Sequence, residues 1–162
     1  MGERDRVQEY RRRLVTAREQ LRAVPQIGPG TPGQADPDTG ERWDRANVLG
    51  HVAEMLPYWT GQGRAVLAGA DSFGRDEPGA RARREGIDGG AAQTEEVLRG
   101  RIDAGAEAVL ELLDELADAD LDRRATFHGS EGTRELTLEH LVDHLLVGHL
   151  EAHVRQLTEL TP

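Results

Sequence analysis

Apolar residues recur every three or four positions in four long segments, and this spacing constrains the fold more than any other feature of the sequence. In the first segment the apolar side chains are Val7, Tyr10, Leu14, Ala17, Leu21 and Val24. Such spacing places them on one face of an α-helix. Similar patterns predict further helices, which run from Asp44 to Ala68, from Ala91 to Ala119 and from Thr137 to Leu160.

Local signals set the ends of these helices. Pro25 ends the first helix, and Asp44 and Thr137 are residue types that cap the starts of the second and the last. Pro57 is expected to kink the second helix, because its ring clashes with the preceding turn. In the third helix the side chains expected to face the core are Val97, Leu98, Ile102, Val109, Leu112, Leu113 and Leu116.

Three connecting segments lack a clear periodic pattern. The first, from Pro25 to Arg42, is rich in proline and glycine and is expected to wrap one end of the helices. The second, from Gly69 to Gly90, allows at most a short helix around Ala80 to Glu85. The third, from Leu121 to Arg134, is expected to be a turn-rich connector. Since no segment shows a convincing strand pattern, we expect an all-α fold, a four-helix bundle in a single domain over residues 1–162.

Composition excludes several classes of protein. The formal net charge is -10, so we expect no nucleic-acid partner, because such proteins usually carry a basic surface. The sequence contains no cysteine, which removes disulfides and thiolate metal ligands. No apolar run is long enough for a membrane span and the N-terminus is charged, so we expect no membrane partner and a cytoplasmic location.

The last helix contains two histidine pairs with different expected environments. His140 and His144 are one turn apart, and so are His149 and His153. At about 100° per residue, the second pair falls on the apolar face and the first pair on the polar face. Buried histidines need a partner for their ring nitrogens. The pair His149 and His153 therefore needs an explanation, whereas the other pair is expected to be solvated.

A third histidine is available at the edge of the apolar stripe of the second helix. His51, His149 and His153 together would supply three neutral nitrogen ligands and leave a fourth position open, as in catalytic zinc sites. Such a set also suits nickel, iron or cobalt. The alternative is a group of buried, hydrogen-bonded histidines in a non-catalytic bundle. Protease motifs do not fit, because Glu151 lies opposite the ligand face and the Asp143 motif faces solvent.

Two segments resemble the DinB/YfiT-like superfamily. The first is WDRANVLGHVAEMLPYW, which starts at Trp43 and contains His51, and the second is LVDHLLVGHLEAHVRQL near the C-terminus. Family members carry a Trp about eight residues before a helix-2 histidine and end in a pattern like H-x-x-x-H-R-x-Q. Here Val154 stands where the family has the arginine, so that Arg155 follows one position later.

The resemblance implies a four-helix bundle of up-down-down-up topology in which the three histidines bind a divalent metal. Zinc is the first candidate, with nickel or iron as alternatives. Related branches include mycothiol- or bacillithiol-dependent transferases and mycothiol-dependent maleylpyruvate isomerase, in which a carboxylate replaces the ligand corresponding to His149. The expected partners are a small thiol or electrophile and a second copy in a homodimer. The alternative is a non-catalytic metal-binding or partner-binding bundle of the stress-response type.

Other residues are candidates for supporting roles, while no catalytic residue can be assigned. Glu54 and Asp143 are expected to orient an imidazole N–H. Arg155 and the basic run from Arg81 to Arg84 are candidates to bind a carboxylate of the substrate. The absence of cysteine means that thiol chemistry would require a thiol supplied from solution.

Overall fold

The computed structural model describes residues 5–26 and 32–161, and most of these residues are helical. Each long helix that the periodicity predicts is present, and one further helix lies between the second and third of them. In chain order the first four helices are α1 (Asp5–Ala23), α2 (Arg45–Leu67), α3 (Glu77–Gly89) and α4 (Glu95–Glu115). The up-down-down-up order of a four-helix bundle stays a prediction.

The C-terminal helix changes its hydrogen-bonding pattern along its length. It consists of α5 (Leu138–His140), a π-helical segment (Leu141–Val147) and α6 (Gly148–Glu159). The N–H of Gly148 donates to the carbonyl of Asp143, five residues earlier, as a π-helix requires. A Cβ at Gly148 would lie 2.5 Å from that carbonyl oxygen, so this position needs a glycine.

The expectation of an all-α fold is wrong in part, because the chain also forms a small sheet. Its strands are β1 (Ser72–Gly74), β2 (Arg124–Gly129) and β3 (Gly132–Thr137), in the order β1-β2-β3. Strand β1 pairs parallel to β2, and β2 pairs antiparallel to β3 through a two-residue turn. The strands are short and expose most of their side chains, so they show little apolar alternation. The expected turn-rich connector is therefore largely a hairpin.

The predicted caps of two helices are confirmed. The side chain of Asp44 accepts a hydrogen bond from the N–H of Asn47, and the Asn47 side chain accepts one from the N–H of Asp44. Thr137 caps the C-terminal helix in the same way, by accepting from the N–H of His140. Helix α2 remains continuous through Pro57. Together these caps fix where the helices that carry the histidines begin.

Helix α3 is longer than the short helix expected from the sequence. Asp76 caps it, and Pro78 lies in its first turn, where proline is tolerated. Glycines on both sides allow α3 to pack closely against α2. A Cβ at Gly50 of α2 would lie 2.2 Å from the carbonyl oxygen of Gly86. A Cβ at Gly90 would lie 2.0 Å from the carbonyl oxygen of Ala46. The glycines that suggested a loop instead let two helices approach closely.

Helix α4 packs against α1 and α2, and the C-terminal helix also packs against both. Most of the side chains expected to face inward from α4 are buried, but Val97 is 50% exposed. That expectation is wrong for Val97, because it lies about 140° from Ile102 on the helical wheel.

No helix within the described ranges has the length and apolar character needed to cross a membrane.

The space around Gly50 and Gly100 differs, and this difference predicts different effects of alanine at the two positions. Gly50→Ala should destabilise the protein by about 1–3 kcal/mol, because the added methyl overlaps the backbone of α3. Gly100→Ala is the matched control within α4, where an added Cβ meets no atom within 4 Å. It should leave stability unchanged or raise it by up to about 1 kcal/mol. Urea denaturation of both variants measures the difference, and equal stabilities would contradict this packing.

Candidate metal centre

Three imidazole rings meet where α2 faces α6. His51 comes from α2, and His149 and His153 come from α6, one helical turn apart. Each residue offers a ring nitrogen that lies within 4.8 Å of those offered by the other two. The distance between Nε2 of His51 and Nε2 of His149 is 3.4 Å. The structure therefore brings together the three histidines that the sequence singled out.

This spacing can be compared with the geometry of a metal site. Two nitrogens bound to zinc at 2.0–2.1 Å with tetrahedral angles are separated by about 3.3 Å. The measured 3.4 Å between His51 and His149 matches that separation closely. His153 completes a group of three that could hold a metal ion.

All three rings are held in the neutral form, which is the form that binds metals. Burial is the main cause, and it lowers the pKa of His51 far below its usual value. Burial, and the repulsion that a protonated His153 would exert, lower the pKa of His149 to about 3. The pKa of His153 is also lowered by burial, although its hydrogen bond to Gln156 opposes the change. Protons therefore compete weakly for these nitrogens at neutral pH.

Two ring nitrogens lack hydrogen-bond partners. No residue in the described ranges provides a partner for Nδ1 of His51 or Nε2 of His153, whereas the His149 ring has a hydrogen bond to the backbone of Leu145. An unsatisfied buried polar atom costs roughly 1–3 kcal/mol, and native proteins contain few of them. A cation between the rings would satisfy Nε2 of His153. The donor set therefore fits a divalent metal that prefers nitrogen ligands.

Gln156 orients one of the rings. Its side-chain carbonyl oxygen lies 2.9 Å from Nδ1 of His153 and accepts the hydrogen of that nitrogen. Nε2 of His153 is then the atom with the free lone pair. Residues that fix a histidine tautomer in this way are typical partners of metal-ligating imidazoles. Gln156 follows His153 by three positions, a spacing that could have identified it from the sequence.

An aromatic side chain packs over the rings. Trp43 stacks on His153 with ring centres 5.8 Å apart, and its ring centre lies 5.1 Å from that of His51. Beside it lies a cavity of about 300 Å³, which all three histidines line together with Gln156, Trp43, Arg83 and residues of the loop that precedes α2. This loop therefore forms one wall of the cavity.

The mouth of this cavity carries charged side chains. Arg83 of α3 lies over the Trp43 ring, with its guanidinium carbon 5.6 Å from the ring centre. It also pairs with Glu41 of the loop, at 3.3 Å. Asp36 lines the same cavity and accepts hydrogen bonds from the N–H groups of Asp38 and Thr39. These backbone hydrogen bonds keep the pKa of Asp36 below its usual value.

The expected supporting residues lie in other environments. The Glu54 carboxylate is bound by Arg75 through two hydrogen bonds of 2.7 and 2.8 Å. Asp143 accepts from Arg13 at 3.1 Å, and Arg13 also binds Glu151.

Arg155 is exposed and lines a different cavity, between the ends of α1 and α6. Within the basic run, Arg81 and Arg84 are exposed, whereas Arg83 lines the cavity beside the histidines. The structure thus brings only one arginine of that run to the candidate centre.

The fold can be compared with those of known proteins. No curated protein matches this sequence. Among solved structures, the chain resembles the crystal structure of the colibactin self-resistance protein ClbS in complex with a dsDNA. The TM-score is 0.65 at 12% sequence identity, over 99% of this chain and 96% of that chain. At this identity the likeness shows a common fold.

This likeness corrects one expectation from composition. The exclusion of nucleic acid is wrong, because a protein of this fold is in complex with double-stranded DNA. Net charge is a sum over the whole chain and does not describe the local surface that would contact a partner.

The family is shown by a second comparison. The model of the DinB superfamily matches residues 3–157, which is nearly the whole chain. This match covers α2, which carries His51, and the part of α6 that carries His149 and His153. The chain belongs to the DinB superfamily.

Proposed function

We propose that this protein binds one divalent metal through His51, His149 and His153 and uses it to activate a small thiol for a transfer or isomerisation reaction. Zinc is the metal that suits three imidazoles and an open position most directly, and nickel or iron are alternatives. The observation that carries the proposal is the meeting of three neutral imidazoles, one buried and two half-buried, beside a cavity of about 300 Å³.

The surrounding residues support this proposal by what they do to the three rings. Gln156 holds His153 in the tautomer that leaves Nε2 free. Trp43 packs against two of the rings and limits the access of water to them. The cavity reaches the rings from the side of the loop before α2, so that a small molecule could approach them.

The absence of cysteine from the sequence restricts which thiol this chemistry could use. A metal with an open position lowers the pKa of a bound thiol and yields a thiolate near neutral pH. Because the protein has no thiol of its own, the nucleophile would be a low-molecular-weight thiol of the mycothiol type. Arg83 is the side chain placed to bind an anionic group of such a ligand.

A second candidate function is supported by the solved relative. Under this second candidate function, the present protein is a non-catalytic bundle, and double-stranded DNA is the partner that the ClbS complex suggests. The exposed Arg81 and Arg84 on α3 would then contact phosphates. Double substitution of Arg81 and Arg84 with glutamate should abolish DNA binding in low salt, whereas the His51→Ala substitution should leave it unchanged.

Metal content tests the first proposal. The protein purified with zinc should hold about one equivalent, as expected for a single site. His51→Ala, His149→Ala and His153→Ala should each lose it, because two imidazoles bind far more weakly than three. His144→Ala is the matched control on the exposed pair and should retain the metal. Inductively coupled plasma mass spectrometry measures the content, and a metal-free wild type would contradict the proposal.

Gln156 provides a test of how the rings are oriented. Gln156→Ala should weaken zinc binding roughly 10- to 100-fold while the helix content is kept, because His153 loses the partner that fixes its tautomer. Arg155→Ala is the neighbouring control and should have no effect, since Arg155 is exposed on another side of α6. Competition with a chelator measures the affinity. Equal affinities in the two variants would argue against this role of Gln156.

The reaction itself is tested by thiol conjugation. The zinc-loaded protein should accelerate the addition of mycothiol to a small electrophile, and His153→Ala should reduce the rate to that without protein. Bacillithiol and glutathione serve as comparison thiols. If no thiol is turned over while zinc is bound, and double-stranded DNA is bound instead, the second candidate function is correct.

A further inference from the structure

A partly exposed ion pair lines the cavity beside the candidate metal centre. Nη2 of Arg83 lies 3.3 Å from Oε2 of Glu41, and the two side chains are 30% and 37% exposed. A single ion pair that water reaches contributes little to stability, because water solvates both charges when they separate. The pair can therefore open without disturbing the fold.

Arg83 is placed close to the imidazoles. Its guanidinium carbon lies 5.6 Å from the centre of the Trp43 ring. That ring centre is in turn 5.1 Å from the centre of the His51 ring. The distance from the guanidinium carbon of Arg83 to the centre of the His51 ring is therefore at most the sum of these two distances. Arg83 and the three histidines line the same cavity, so a small molecule bound there can contact both the guanidinium and the rings.

The charges of the lining determine which ligand fits. The charged side chains that line the cavity, apart from the neutral histidines, are Arg83, Asp36 and Glu41. Asp36 is held by two backbone N–H groups, whereas Glu41 interacts with the side chains of Thr39 and Arg83. Glu41 is thus the carboxylate that can move away, and its departure leaves Arg83 to bind another anion.

We propose that Arg83 is the anion-binding residue of this site and that Glu41 occupies it until the carboxylate of a ligand takes its place. The ligand class is a small organic acid with a metal-binding group, such as a thiol, at its other end. This inference rests on the proposed metal centre. The bound Glu41 already shows that the guanidinium accepts a carboxylate, the group whose geometry arginine matches well.

A matched pair of thiols tests the proposal on the cobalt-substituted protein. The visible spectrum of bound Co²⁺ reports a thiol at the open position, independently of turnover. 3-Mercaptopropionate should bind about tenfold more tightly than 3-mercapto-1-propanol, a ratio that corresponds to about 1.4 kcal/mol. Arg83→Gln should remove this preference without changing the affinity for the alcohol. Glu41→Gln should increase the affinity for the carboxylate, because the competing group is gone.

Arg101→Gln is the control, since Arg101 is an exposed arginine of α4 that does not line the cavity. It should keep the preference of the wild type. Equal binding of the two thiols by the wild type, or an unchanged preference in Arg83→Gln, would overturn the proposal. A wild type that takes up no cobalt would instead contradict the metal centre, so the two failures are distinguishable.

Discussion

The contact among the imidazoles of His51, His149 and His153 is the interaction on which the rest of this structure depends. Each offers a ring nitrogen within 4.8 Å of those of the other two. Nδ1 of His51 and Nε2 of His153 have no hydrogen-bond partner in the described part of the chain. Each unsatisfied atom lowers the stability of the fold by roughly 1–3 kcal/mol. Apolar residues at these positions would avoid this loss. Trp43 and Gln156 nevertheless hold two of the rings in place. A metal bound between the rings would give Nε2 of His153 its missing partner, and it accounts for the convergence of three imidazoles at one place.

The π-helical segment decides which face of the C-terminal helix reaches α2. It covers Leu141–Val147 and lies directly before Gly148, so it contains the exposed His144 and ends just before the half-buried His149. A π-helix turns less per residue than an α-helix, and such segments are frequent at functional sites. Gly148 allows the wider turn to close, because a Cβ there would meet the carbonyl of Asp143. The position of His149 is thus set by backbone geometry as well as by apolar periodicity.

The sequence predicted the helices with strong periodicity, their caps and the three histidines that meet, because apolar spacing and histidine spacing act over one or two turns. It missed the hairpin, since strands that expose most of their side chains show no alternation. It also missed most of α3, where glycines such as Gly86 serve contacts between helices rather than a loop. The partners of Glu54 and Asp143 could not be predicted, because Arg75 and Arg13 come from other parts of the chain. Tertiary contacts decided each of these outcomes.

The central claim is that one divalent metal binds to His51, His149 and His153. A crystal of the zinc-loaded protein, measured at wavelengths on both sides of the zinc absorption edge, tests it most directly. The account predicts one anomalous peak between the three rings, with zinc–nitrogen distances of about 2.0–2.1 Å and a fourth position held by a non-protein ligand. A peak at His140 and His144, with none between the three rings, would contradict it.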